Sequence, residues 1–131
     1  MKYSEENFDD LSPRVTKLAL QFFFGITDKW QLTNKEESTL LGNPSIVDFN
    51  KWKDNITPDS LNQETLRRIM RIMNIFYSLQ ELLPTSDVAN HWIKKPNKAP
   101  LFGGDTALNF ILNGDINELV KLEQYLYGQC H

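Results

Sequence analysis

The sequence has little of what most enzymes and secreted proteins rely on. It contains one cysteine, Cys130, among 131 residues, and two histidines, His91 and His131. One cysteine can form neither an internal disulfide nor a Cys-x-x-Cys metal site, so we expect a reducing compartment. The neighbours Cys130 and His131 lie where a catalytic pair is seldom held in place, and no phosphate-binding loop, HExxH or GxSxG motif occurs. We therefore predict a binding protein and not an enzyme, with neither cofactor nor metal.

An excess of positive charge and a long apolar run are also missing. Fourteen basic and 17 acidic residues give a net charge of −3, whereas proteins that coat nucleic acid by bulk charge are usually basic. The longest apolar run, 18–25, is interrupted by Gln21 and is far shorter than the roughly 20 residues of a membrane span. The N-terminal residues are acidic and contain no apolar signal segment. We expect a cytoplasmic protein that does not contact a membrane.

Apolar residues make up 40 % of the chain, and their spacing predicts an all-α fold. They recur at intervals of three and four, and no strong period-two pattern appears. Ser12-Pro13, Thr33 with Glu36, and Ser86 are predicted helix starts, while Gly25 and Gly128 are predicted to end helices. The predicted helices cover 12–25, 33–41, 45–53, 61–83, 87–94, 105–112 and 116–127.

The segment 61–83 is apolar on nearly every side in its second half, which predicts either a central core helix or a helix shared with a second subunit. Pro84 follows and ends the predicted helix. We therefore divide the sequence into a flexible tail (1–10), a helical domain that also dimerises (11–84) and a small helical domain (85–131).

The order of helix 33–41, a turn at Gly42, and helix 45–53 is that of a helix-turn-helix. In that motif the second helix enters the major groove of DNA, where Asn and Ser can bind bases and Lys can bind phosphate. Ile46, Phe49 and Trp52 form its apolar stripe. The segment 43–55 has two Lys and two Asp, so an ordinary helix pair without DNA contact stays open as an alternative. The DNA-binding candidates are Ser45, Asp48, Phe49, Asn50, Lys51 and Lys53.

The second half carries a series of short motifs in a specific order. They are Ala89, Trp92, Pro96-Asn97, Leu101, Gly103-Gly104, Ala107-Leu108, Gly114, Val120 and Gly128. Their order resembles the toxin-binding domain of the Xre/MbcA/ParS antitoxins. The first half resembles the helix-turn-helix domain of the same family through residues 30–33, 40–42, 66–69 and 75–79 together with Trp52. The resemblance covers about 11–128. It departs from the family at Ala107, which replaces a Pro, at Phe102, and in a longer spacing from Gly114 to Val120.

This resemblance implies an antitoxin of a type II toxin-antitoxin system. Such proteins bind operator DNA through the first domain and neutralise a cognate toxin, commonly a RES-domain enzyme that consumes NAD, through the second. Aromatic residues are typical interface anchors, although core packing is an open alternative for Trp92 and Tyr125. The toxin-binding candidates are Lys94, Lys95, Asn97, Tyr125, Tyr127, Gln129, Cys130 and His131.

Two other functions remain open. One is a stand-alone helix-turn-helix regulator of transcription, and the other is a protein-interaction module that has lost DNA binding. A homodimer is expected in each case, because helix-turn-helix proteins usually read two half-sites and the segment 61–83 offers a large apolar surface.

Overall fold

A computed structural model describes residues 11–54 and 61–130, and these form seven α-helices without a strand. The prediction of an all-α fold is confirmed. An isolated antiparallel bridge joins Pro96 and Thr106. The helices are α1 (Pro13–Lys29), α2 (Asn34–Leu40), α3 (Ile46–Asp54), α4 (Gln63–Leu82), α5 (Ser86–Trp92), α6 (Ala107–Leu112) and α7 (Ile116–Cys130).

Two predicted helix starts are confirmed by their capping bonds. The Val15 amide donates to Ser12 Oγ at 3.4 Å, and Pro13 occupies the first turn of α1. At α2 the Glu36 amide donates to Thr33 Oγ1 at 3.1 Å, and the Thr33 amide donates to Glu36 Oε1 at 2.8 Å. This reciprocal pair is a capping box, in which two backbone donors of the first turn are satisfied at once.

Three predicted boundaries are wrong. Gly25 lies inside α1 and Gly128 lies inside α7. A glycine within a helix costs about 1 kcal/mol relative to alanine, and in α1 the burial of Ile26 and Trp30 beyond Gly25 outweighs that cost. The N-cap of α5 is Thr85 and not Ser86, since the Val88 amide donates to Thr85 Oγ1 at 3.2 Å.

Helix α4 lies at the centre of the molecule. Its buried side chains include Leu66, Ile69, Ile72, Ile75 and Leu79, and it packs against α1, α5 and α7. The prediction of a central core helix over 61–83 therefore fits α4, whose apolar side chains pack against other helices of the same chain. Residues from both predicted domains join one hydrophobic cluster, so the division at Pro84 stays a prediction.

A buried carboxylate fixes α4 to α7. Glu123 is 1 % exposed, and its two oxygens accept hydrogen bonds of 2.6 Å from Arg71 Nη1 and from Asn74 Nδ2. Burying a carboxylate is costly unless it is paired and hydrogen-bonded. The contact therefore holds α7 in one position against α4.

The predicted tail 1–10 and the candidate His131 lie outside the described residues. Of the helices in the described ranges, none combines the length and the apolar character that crossing a membrane requires.

Candidate binding surfaces

Helices α2 and α3 are joined by a short turn that contains glycine. Gly42 has φ 96° and Asn43 has φ 59°, a left-handed conformation that glycine adopts at no steric cost and asparagine tolerates. The next residue but one, Ser45, caps α3 because its Oγ accepts the Asp48 amide at 3.1 Å. Two helices joined by a turn are therefore present here, whereas the helix-turn-helix motif itself and its role in DNA binding stay predictions.

The six DNA-binding candidates do not share one surface. Phe49 is 5 % exposed and its ring packs edge-on against Phe24 with centroids 6.0 Å apart. The prediction that Phe49 reaches a base is therefore wrong, because its apolar ring is part of the core. Asn50 and Lys51 are exposed, and Asp48 is half-buried.

Lys53 is held in a polar network that joins the first three helices. Its Nζ donates to Glu37 Oε1 at 2.6 Å and to Asn34 Oδ1 at 2.6 Å, and it lies 5.7 Å from the centre of the Phe24 ring. The other oxygen of Glu37 accepts the Thr27 hydroxyl at 2.5 Å. Lys53 thus neutralises a buried carboxylate. Its ammonium group is therefore not available to bind a DNA phosphate.

Sequence reasoning missed an apolar patch at the start of α3. Ile46 is 76 % exposed and Val47 is 60 % exposed. The prediction that Ile46 shares the buried stripe of Phe49 and Trp52 is wrong, since the first turn of α3 projects beyond the core. Ile46 borders a mostly apolar cleft of about 420 Å³ between α2 and α3. The position of Ile46 at the start of the predicted helix was the available signal for its exposure, because a residue there has few neighbouring residues on its N-terminal side.

Three of the toxin-binding candidates come together in the second half of the chain. Asn97, Tyr125 and Gln129 line a cleft of about 190 Å³, whose other walls include Trp92 and the end of α4 at Leu82. The cleft therefore gathers residues of α4, of α7 and of the region that follows α5.

The aromatic residues of this cleft are partly structural. The rings of Trp92 and Tyr125 each pack edge-on against Phe102, at 6.0 and 5.4 Å, and all three belong to or border the core. Asn97 closes a turn, since its Oδ1 accepts the Ala99 amide at 2.9 Å and its carbonyl accepts the Gly104 amide at 2.9 Å. Trp92 and Tyr125 thus combine packing with a partly exposed edge.

The remaining candidates differ in what they can contact. Lys94 Nζ donates to the Gln31 carbonyl at 2.6 Å, which ties the end of α5 to the turn after α1. Lys95, Tyr127 and Gln129 are exposed. Cys130 is half-buried with Sγ 3.8 Å from the Ser78 carbonyl, and burial raises the pKa of its thiol. The thiol is thus a poor nucleophile at neutral pH.

Two carboxylates near α6 and α7 have lowered pKa values. The pKa of Asp105 is lowered by hydrogen bonds from the Asn109 side chain and the Thr106 amide, and that of Glu118 chiefly by the Asp115 amide. These bonds organise helix starts and do not point to acid–base chemistry. Among residues 11–54 and 61–130, no group of three or more His, Cys, Asp or Glu side chains could hold a metal ion.

The chain is similar to "Uncharacterized protein y4oB" of Sinorhizobium fredii (strain NBRC 101917 / NGR234). The two are 34 % identical over 110 residues, which is 84 % of this chain and 82 % of that protein. No protein-family model and no solved structure matches the chain. At this identity and coverage, the chain belongs to the same family as y4oB.

Proposed function

We propose that the protein is the antitoxin of a type II toxin-antitoxin system, which neutralises a cognate toxin by covering its active site. The supporting observation is the cleft that gathers Asn97, Tyr125 and Gln129 beside Trp92. Exposed aromatic edges beside polar side chains are typical of interface centres. The toxin that the sequence resemblance suggests, a RES-domain enzyme that consumes NAD, would present a concave, polar site to such a surface.

The end of α7 is suited to entering a concave site. The helix continues to Cys130, and Tyr127 and Gln129 are exposed on its last turns. Because this segment is already helical, binding would not have to order it, and the entropic cost of association is smaller. Lys95 is an exposed cation near the same surface that can contact an acidic rim on the partner. The proposed toxin would act in the cytoplasm, where we therefore place the protein.

Co-expression with the protein encoded beside this gene tests the proposal. If that neighbour arrests growth and lowers cellular NAD, the antitoxin should restore both. Tyr127→Ala with Gln129→Arg should weaken the rescue, whereas Lys121→Ala, an exposed change on the first half of α7, should leave it intact. A neighbour whose toxicity is unaffected by the full chain would contradict the proposal.

We propose autoregulation through operator binding as a second activity, supported by the exposed face of α3. Asn50 can contact a base edge, Lys51 can contact phosphate, and Ile46 or Val47 can contact a thymine methyl group. Lys53 is left out because substituting it would disturb the fold. A gel shift with the upstream region at low salt should show binding that Lys51→Ala weakens. A stand-alone regulator would show this binding without any toxin.

The absence of DNA binding would instead favour a protein-interaction module. The exposed apolar pair Ile46 and Val47, together with the cleft between α2 and α3, supports that alternative. In that case Val47→Glu should abolish capture of the partner protein, while Asn50→Ala should have little effect on it. If the reverse is found, with DNA bound and Asn50 required, the interaction module is excluded.

A further inference from the structure

Helix α1 carries a second apolar stripe that no other part of the described chain covers. Leu18 and Phe22 are both 46 % exposed and Val15 is half-buried. Apart from the adjacent residues and the nearby backbone of α1 itself, no heavy atom lies within 4 Å of a Cβ placed on Gly25. Their spacing of three, four and three residues is that of the a and d positions of a coiled coil. The buried face of α1 is a different one, formed by Ala19, Leu20, Phe23 and Ile26.

One edge of this stripe carries opposite charges at its two ends. Arg14, Gln21 and Asp28 are spaced seven residues apart, which places them on the same side of the stripe at g positions. All three are exposed. Neither Arg14 nor Asp28 has an ion-pair partner in residues 11–54 and 61–130. The cation lies at the start of α1 and the anion at its end.

We propose that α1 is a dimerisation helix that pairs antiparallel with α1 of a second copy of this chain. In that register Leu18 faces Phe22 of the second copy, and Val15 fills the gap that Gly25 leaves. The same register sets Arg14 against Asp28 of the second copy at both ends, with Gln21 next to Gln21 on the two-fold axis. Every contact is thus repeated by symmetry, as an isologous interface requires.

The charges favour the antiparallel arrangement over the parallel one. Parallel helices would bring like ends together, so that Arg14 would lie near Arg14 and Asp28 near Asp28. They would also set Gly25 against Gly25 and leave a gap in the seam. In antiparallel pairs g positions meet g positions, so the Arg14 and Asp28 pairs form twice, and the helix dipoles are also opposed.

This interface is small, which sets the expected affinity. Helix α1 has 17 residues and is about 25 Å long, so one helix pair buries an area at the low end of specific interfaces. We expect reversible dimerisation with a dissociation constant in the micromolar range, weakened by salt because the end contacts are exposed ion pairs. The inference does not depend on the proposed antitoxin function.

Sedimentation velocity of the full chain over a range of about 1–500 µM tests the interface. We expect a monomer–dimer equilibrium that Leu18→Glu weakens about tenfold or more. Val88→Glu is the matched control, since Val88 on α5 is 42 % exposed and lies outside the stripe. A monomer at every concentration, including the case in which residues 1–10 or another protein cover the stripe, overturns the proposal. So does a dimer that Leu18→Glu leaves unchanged.

A mixing experiment tests the antiparallel register and does not depend on apolar substitutions. Arg14→Glu alone places like charges at both ends of the dimer, as does Asp28→Arg alone, so each variant should dimerise less than the natural chain. In an equal mixture, each copy of the first variant meets unlike charges on the second at both ends. Heterodimers should therefore form with at least natural affinity at low salt. In a parallel pair the natural chain already holds like charges together at both ends. Single variants that dimerise as tightly as the natural chain therefore overturn the antiparallel arrangement, as does a mixture as weak as its components.

Discussion

Replacing Lys53 with Met would leave the carboxylate of Glu37 buried without its cation. The Glu37 side chain is 4 % exposed and that of Lys53 is 34 % exposed, with Nζ 2.6 Å from Oε1. The Thr27 hydroxyl would remain as a donor to the other oxygen. Because Met keeps the unbranched apolar stem of lysine as far as Cε, the substitution removes the charge, and with it the contact of Nζ with the Phe24 ring, while preserving most of the side-chain volume.

The expected cost lies between two known cases. Removing one partner of a fully buried ion pair costs about 3–5 kcal/mol, whereas exposed pairs contribute at most about 1 kcal/mol. With one partner buried and the other a third exposed, we expect Lys53→Met to lower the free energy of unfolding by about 2 kcal/mol. Adding Glu37→Met should recover much of this, because no buried charge remains and the Thr27 hydroxyl, released from Glu37, can donate to the Phe24 carbonyl 3.2 Å away.

Urea unfolding followed by circular dichroism measures these free energies. Lys51→Met is the control, since Lys51 lies on the same helix but is exposed, and its effect should stay within about 0.5 kcal/mol. The two single variants and the double variant form a thermodynamic cycle that isolates the coupling of Lys53 with Glu37. Equal stability of Lys53→Met and Lys51→Met would refute the structural role assigned to Lys53, and with it the reason for removing Lys53 from the DNA-binding candidates.

Three further predictions concern stability and thiol reactivity. In urea unfolding, Gly42→Ala should lower the free energy of unfolding by about 1–2 kcal/mol, because φ at this residue is 96°. Gly25→Ala, in open space within α1, should raise it by up to about 1 kcal/mol. Equal effects of the two substitutions would contradict the argument from backbone conformation. Glu123→Ala should cost about 3 kcal/mol or more because Arg71 loses its buried partner, and a loss below 1 kcal/mol would show that this contact does not anchor α7. Because the pKa of Cys130 is raised, its thiolate forms at higher pH in the folded chain than in the urea-unfolded chain. The rate of its reaction with a disulfide reagent should therefore increase at a higher pH in the folded chain. Coincident pH profiles of the two states would contradict burial of the thiol.

Local signals in the sequence were sufficient for the helices and for several of their ends. Ser12 and Thr33 were identifiable because a cap acts over three residues, and the apolar spacing of α4 predicted a central helix. Gly25 and Gly128 were misjudged because a stop signal worth about 1 kcal/mol competes with tertiary burial, which the local sequence does not contain.

The candidate surfaces were less predictable because their contacts join distant parts of the chain. Lys53 was expected to bind phosphate, yet its partner Glu37 lies one helix earlier, is buried and also accepts the Thr27 hydroxyl of α1. Asn97 and Gln129 were named in one candidate set, but the cleft that they line also includes Leu82 of α4, which the sequence did not connect with them. Ile46 shared the spacing of Phe49 and Trp52, but periodicity cannot tell where along a helix the core ends.

The apolar pattern of α1 shows the same limit in a way that bears on assembly. Val15, Leu18, Ala19, Phe22, Phe23 and Ile26 recur at spacings of three and four, which predicts one amphipathic face. The structure separates them, because Ala19, Phe23 and Ile26 point to the core while Leu18 and Phe22 point outward. Two large apolar side chains one turn apart leave a patch exposed to water, and burial recovers roughly 25 cal/mol for each Å² that is covered. The apolar side chains of α4 are buried in the core of the chain. We therefore place the interface of the expected homodimer on α1, where Gly25 leaves space for a side chain and the charges of Arg14 and Asp28 favour antiparallel helices.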